Sequence, residues 1–150
     1  MSGRYISKET KSAVIQRAEG RCEYCKSLMK YAIHTFNIDH IIPLDKKGNS
    51  DSDNLALSCG GCNSAKSNHL NAIDPVSLQE VPIFHPRKDN WQDHFSWSDD
   101  FQEVIGLTPK GRATVGCLRL NRPGIVNIRK LTLLIGDHPC LLYTSDAADD

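Results

Sequence analysis

Four of the six cysteines form two C-x-x-C pairs, Cys22 with Cys25 and Cys59 with Cys62. A C-x-x-C turn aims two thiolates at one point, and two such turns complete the tetrahedral shell that zinc takes. Gly60 and Gly61 in the second turn favour a tight metal knuckle. A four-cysteine shell leaves no open position, so zinc held there is structural. Between and just behind the knuckles lie Asp39-His40, then Asn54, then Asn63 directly after Cys62. Phosphodiester hydrolysis needs an activated water, a counter-charge for the transition state and help for the departing oxygen. A neutral imidazole at His40 can act as general base near neutral pH. Asp39 is its strand neighbour, and successive strand side chains point to opposite faces. One can therefore face a metal and the other the water, provided the chain bends at the strand end. Asn63 offers a carbonyl oxygen as a second protein ligand. An oxygen-lined site that keeps several waters suits Mg2+ or Mn2+.

These residues stand in order within Arg-Cys-x-x-Cys from Arg21, Ile-Asp-His-Ile-Ile-Pro from Ile38, Asn-Leu-Ala-Leu from Asn54, and Cys-x-x-Cys-Asn-x-x-Lys from Cys59. From Arg21 to Asn68 the chain resembles the His-Asn-His (HNH) endonucleases of the ββα-metal fold. The third motif position, often His in that family, is here Asn63, an alternative the family also uses. The resemblance implies an α+β fold, a ββα-metal nuclease core stapled by the zinc site. It implies DNA as substrate, with products bearing 5′-phosphate and 3′-hydroxyl ends. It also implies that Asn54 touches no substrate and ties the loop that holds His40. The competing class is a non-catalytic zinc-knuckle nucleic-acid-binding module, which has no need for Asp39, His40 and Asn63 at these spacings. The residues do not discriminate DNA from RNA or fix an oligomeric state.

The elements that must position these groups follow from local patterns. Ser7 to Glu19 reads as a helix with Ser7 as N-cap and Gly20 as its stop. Ile33 to Ile42 alternates as a strand ended by Pro43. The polar stretch from Asp45 to Asp53 is a loop, and Leu55-Ala56-Leu57 is a second strand. A short helix is expected from near Asn63, carrying Lys66 either as a phosphate contact or as an exposed helix lysine. Asp74-Pro75 reads as the cap and first position of a short helix to about Val81. Pro82 to Trp97 is irregular, and its His85, Trp91, His94 and Trp97 are expected to build a satellite core rather than a base-stacking surface. Phe101 to Leu107 reads as a strand, and Arg112 to Leu120 and Pro123 to Ile135 as helices. Arg112, Arg119, Arg122 and Arg129 form either a phosphate-contacting face or an ordinary solvated one. His34 and His69 are not expected to be ligands. The division expected is a nuclease core over 1–71 and an extension over 72–139 packed on it.

The last eleven residues, Cys140 to Asp150, lack periodicity and resemble the translation of a sequencing adapter, so they are expected to be a non-native tail. Three of the 18 acidic residues lie there, leaving the preceding chain net basic by three. Over all 150 residues the formal charge is zero, which excludes a strongly basic nucleic-acid coat but not a local basic surface. With 39% hydrophobic and 24% charged residues the composition is that of a folded globular protein. No apolar run approaches the roughly 18 residues of a membrane span. The N-terminus has no secretory pattern, so a cytoplasmic protein with reduced thiols is expected.

Overall fold

Ser7 caps the first helix as its sequence predicts: its hydroxyl accepts from Thr10 N, and α1 runs Lys8–Arg17. The chain then turns through left-handed Glu19 and Gly20 into the first knuckle. The structure is a computed structural model and describes residues 5–139; the expected tail at 140–150, with Cys140, lies outside them. Strands β1 (Asn37–His40) and β2 (Leu55–Ser58) pair antiparallel, with Ile38 opposite Leu57, Asp39 opposite Ala56 and His40 opposite Leu55. Helix α2 (Gly60–Lys66) follows β2 at once. Together they make a ββα unit inside a mixed α and β chain. Val14 of α1 closes one face of the hairpin against Leu55 and Leu57, with Ile15 and Ile38 beside them. Full burial of such side chains stabilises by roughly 1.5–3 kcal/mol each.

Two short hairpins and two helices complete the described chain. Strands β3 (Asn71–Ile73) and β4 (Glu80–Pro82) pair antiparallel. The one-turn helix α3 (Trp91–His94) runs directly into β5 (Phe95–Trp97), which pairs with β6 (Val104–Gly106). Helix α4 (Pro109–Leu118) starts from Thr108, whose hydroxyl accepts from Gly111 N, and α5 (Pro123–Leu134) ends the described structure. The larger core joins all four knuckle cysteines and Tyr24 to Ile83, Phe84, Phe95, Val104, Leu118, Leu120 and Ile125. Trp91 and Trp97 pack on it, their rings 5.3 Å apart, and Trp91 stands 5.1 Å from Phe95. Among the described residues no helix is long and apolar enough to cross a membrane.

Several expected elements are corrected. The strand from Ile33 shrinks to four residues, because β2 offers only four partners; Ile33 is 95% exposed. No helix follows Asp74. Its carboxylate does accept from Val76 N and Ser77 N, as a cap would, but left-handed Leu78 turns the chain back into β4. Val76 and Leu78 are 71% and 73% exposed, so a helix there would have had no apolar face to bury. Helix α2 begins at Gly60 rather than near Asn63, since Cys59 Sγ accepts from Cys62 N and serves as its cap. Helix α4 begins three residues before Arg112.

Candidate active site

The two knuckles bring Cys22, Cys25, Cys59 and Cys62 together, all buried, with their sulfurs within 4.8 Å of one another. The Cys25 and Cys59 sulfurs are 3.7 Å apart. A tetrahedron with Zn–S bonds of about 2.3 Å has edges of about 3.8 Å. The donor set and its spacing therefore fit a structural metal. Backbone N–H groups of Cys25 and Cys62 point at the sulfurs of Cys22 and Cys59 at 3.5 and 3.4 Å. Hydrogen bonds from Cys22, Cys25 and Cys62 hold the Cys59 thiol well below its ordinary range, while burial pushes Cys22 up. Four buried sulfurs cannot all ionise unaided, and a cation must compensate them. Arg122 supplies part of that charge from outside the ββα unit. Its Nη2 lies 3.3 Å from Cys59 Sγ and its Nη1 3.6 Å from Cys62 Sγ. A Cβ on Gly61 would sit 2.4 Å from Arg122 Nη2, so any side chain at 61 would displace the guanidinium from this position.

Strand β1 leads from this cluster to an open polar cleft of about 360 Å3, lined by Ile38, Asp39, His40, Pro43, Leu44, Asp45, Asn63 and Ser67. Three residues singled out by spacing, Asp39, His40 and Asn63, thus share one cavity. His40 Nε2 lies 3.0 Å from Ser50 Oγ. Asn54 lies outside the cleft walls and is buried. Its Nδ2 donates to Ile42 O at 3.0 Å and Asn49 O at 2.7 Å, and its Oδ1 accepts from Ile42 N at 2.9 Å. Those bonds close the loop that follows His40. Gly48 lies so near Ile42 O that a Cβ would meet it at 1.8 Å.

Asp39 is held from behind the cleft. Its Oδ2 accepts from Tyr24 Oη at 2.8 Å and from Lys66 Nζ at 3.1 Å; Oδ1 has a longer 3.4 Å contact with Lys66. Burial raises the Asp39 carboxyl above its ordinary range, and Lys66 and Tyr24 oppose that shift. Burial and the neighbouring Asp39 charge push the Tyr24 hydroxyl well up, so it stays protonated and donates. Lys66 is 1% exposed and also donates to the carbonyls of His40 and Ile41. It is therefore not an exposed helix lysine: its ammonium is engaged by Asp39 and two backbone carbonyls. A lysine at the end of an expected helix carries no sequence mark of burial, and Tyr24 inside the knuckle carried none of its role. Asp45 in the cleft wall and Ser50 beside His40 carry no such mark either, and nothing in the sequence distinguishes Arg122 within its series as the partner of the cysteine sulfurs.

The arginine series also differs from both readings given to it. Arg112 makes a two-pronged contact with Asp74 at 2.8 and 2.9 Å, and Arg122 faces sulfur. Arg129 is 2% exposed; it donates to Gln102 O and Leu120 O and lies 5.1 Å from the Trp97 ring. Arg119 alone of the four is exposed. His94 pairs with Thr108 and packs near Phe84, and His85 Nδ1 accepts from Arg87 N and Lys88 N.

Residues 22–69 match the HNH endonuclease family. They form an HNH domain. Two relatives add to this. Septu protein PtuA of Bacillus mycoides (strain KBAB4) is 27% identical over 152 aligned residues, covering 85% of this chain and 21% of the relative. Septu protein PtuB of Bacillus thuringiensis is 27% identical over 115, covering 75% of this chain and 41% of the relative. The chain thus spans well under half the length of the curated relatives it matches. No solved structure matches the chain. The HNH domain takes in both cysteine pairs and every cleft residue, whereas Arg122 lies beyond it.

Proposed function

We propose that the chain is a metal-dependent endonuclease that hydrolyses DNA phosphodiester bonds in the cytoplasm. The observation that carries this reading is the meeting of Asp39, His40 and Asn63 in one open polar cleft within the HNH domain. His40 takes the proton of the attacking water, contributing typically about 10²–10⁴-fold. The Ser50 hydroxyl beside Nε2 orients the ring, and Asn54 fixes the loop behind it. Asp39 and Asn63 would hold Mg2+ or Mn2+ through oxygen, and Asp45 adds a third oxygen donor to the same wall. Such an ion supplies charge neutralisation at the phosphoryl oxygens when bound. Zinc held by Cys22, Cys25, Cys59 and Cys62 keeps β2 and α2 in register under the cleft.

Plasmid cleavage by the full chain in Mg2+ or Mn2+ tests the reading. Wild type is expected to convert supercoiled plasmid to nicked or linear forms. His40→Ala is expected to lose that activity by about 10²-fold or more while keeping zinc, fold and DNA affinity. Cleavage by His40→Ala at the wild-type rate would remove the nuclease assignment from this site. DNA binding by both proteins without cleavage in any divalent metal would favour the binding-module class, and preferential cutting of RNA would replace DNA as substrate.

A further inference from the structure

Tyr24 stands inside the first knuckle, between Cys22 and Cys25, yet its hydroxyl reaches the cleft residue Asp39 rather than the sulfurs. It is 1% exposed, and the turn that carries it is anchored on several sides. Glu23 N donates to Leu57 O, Glu23 Oε2 accepts from Leu57 N, and Trp91 Nε1 donates to Tyr24 O. Leu57 lies next to Ala56, the residue opposite Asp39 in the hairpin. The Tyr24 hydroxyl is thus set by the zinc knuckle on one side and by β2 on the other. Lys66 approaches the same carboxylate from α2, three residues beyond Asn63 and four beyond Cys62.

A carboxylate has about four lone-pair sites over two oxygens. Tyr24 and Lys66 both place their short contacts on Oδ2, while Oδ1 keeps only the 3.4 Å contact. We infer that Tyr24 is a positioning residue for the catalytic divalent cation: with Lys66 it locks Asp39 Oδ2, so that Oδ1 is presented to the cleft as a single ligand oxygen. Without the Tyr24 hydroxyl, the carboxylate is free to rotate into a two-oxygen pairing with Lys66 and withdraw from the cation. The zinc turn therefore governs the geometry of a second, oxygen-coordinated metal through one hydroxyl. The inference rests on the proposed role of Asp39 as a ligand to that cation.

The test uses the full chain with zinc bound, as wild type, Tyr24→Phe and Asp39→Ala. Free Mn2+ is read by electron paramagnetic resonance, zinc by elemental analysis, and plasmid nicking is measured across a Mn2+ titration. Tyr24→Phe is expected to keep one zinc per chain and to bind Mn2+ about 10–100-fold more weakly, as loss of a group that orients a ligand does. Its nicking should need correspondingly more Mn2+ while the maximal rate at saturation stays within about threefold of wild type, a split that a merely structural residue would not give. Asp39→Ala should lose Mn2+ binding at this site. Wild-type Mn2+ affinity in Tyr24→Phe, with Asp39→Ala defective, overturns the Tyr24 role alone. Wild-type affinity in Asp39→Ala overturns the ligand assignment and the inference with it. Loss of zinc or of folding in Tyr24→Phe also overturns it, because the hydroxyl would then serve the knuckle.

Discussion

Two buried carboxylates illustrate how much a single residue's surroundings decide. Asp39 shares its buried space with Lys66, and removing one partner of such a pair costs about 3–5 kcal/mol although the intact pair gives little net stability. On the proposed reading the pair serves to orient Asp39 rather than to add stability. Asp74 is fully enclosed as well, but Arg112 grips both its oxygens and holds its carboxyl well below the usual range. A depressed folded pKa stabilises above the unfolded value, here 3.8, and that stabilisation is lost as pH falls through the folded value. Asp74→Asn loses the charge and keeps one accepting oxygen, so only one of the two amides, Val76 N on Oδ1 or Ser77 N on Oδ2, retains its acceptor. It is expected to melt lower than wild type at pH 7, with the gap closing as pH drops from about 4 toward 2. Thermal melts across that range check it, and a gap independent of pH would show that the ion pair contributes nothing through charge. The grouping of Asp39, His40 and Asn63 in one cleft, and the place of Asn54 in the loop after His40, were legible because each type is unusual at its spacing. The burial of Lys66 and Asp74 was not, because exposure depends on partners distant in the chain.

At the scale of elements, local signals succeeded where a core existed to reward them. Ser7 and Pro123 open helices whose Val14 and Ile125 are buried, and both helices formed as expected. The Asp74 cap signal was as good locally, yet the segment had nothing to pack and closed a hairpin instead. The ββα unit was readable because its two strands, helix and knuckles are contiguous. The link from the second knuckle to Arg122 was not, since 59 intervening residues separate it from Cys62. Arg122 sits at the N-cap of α5 and turns its guanidinium onto the Cys59 and Cys62 sulfurs. Zinc with four thiolates carries two net negative charges, so a cation donating to sulfur lowers the energy of the loaded site. Arg122→Met keeps the apolar stem and loses the charge. It is expected to surrender zinc to a chromogenic chelator about 10–100-fold faster than wild type. An unchanged release rate would mean that the arginine only fills space beside Gly61.

At the scale of the whole molecule, the residues after 71 grip both knuckles from several directions. Arg87 pairs with Glu23, Trp91 donates to Tyr24 O, Arg129 donates to Cys25 O, and Arg122 reaches Cys59 and Cys62. Each contact lands on a cysteine turn or the residues between its cysteines. The aromatic cluster and the HNH domain are therefore expected to behave as one cooperative unit with zinc at the joint. Magnitudes support this: zinc binding to four-ligand structural sites is worth about 10–16 kcal/mol, as large as the roughly 5–15 kcal/mol net stability of an ordinary domain. Stripping zinc with a strong chelator should then unfold more than the knuckles. Both tryptophans of the chain lie in the cluster, so their emission reports on the region outside the HNH domain. The expected outcome is a single transition in which zinc release, loss of far-ultraviolet helical signal and the red shift of tryptophan emission coincide. Zinc leaving while Trp91 and Trp97 keep their native emission would show that the extension folds on its own and that its contacts with the knuckles are docking rather than shared core.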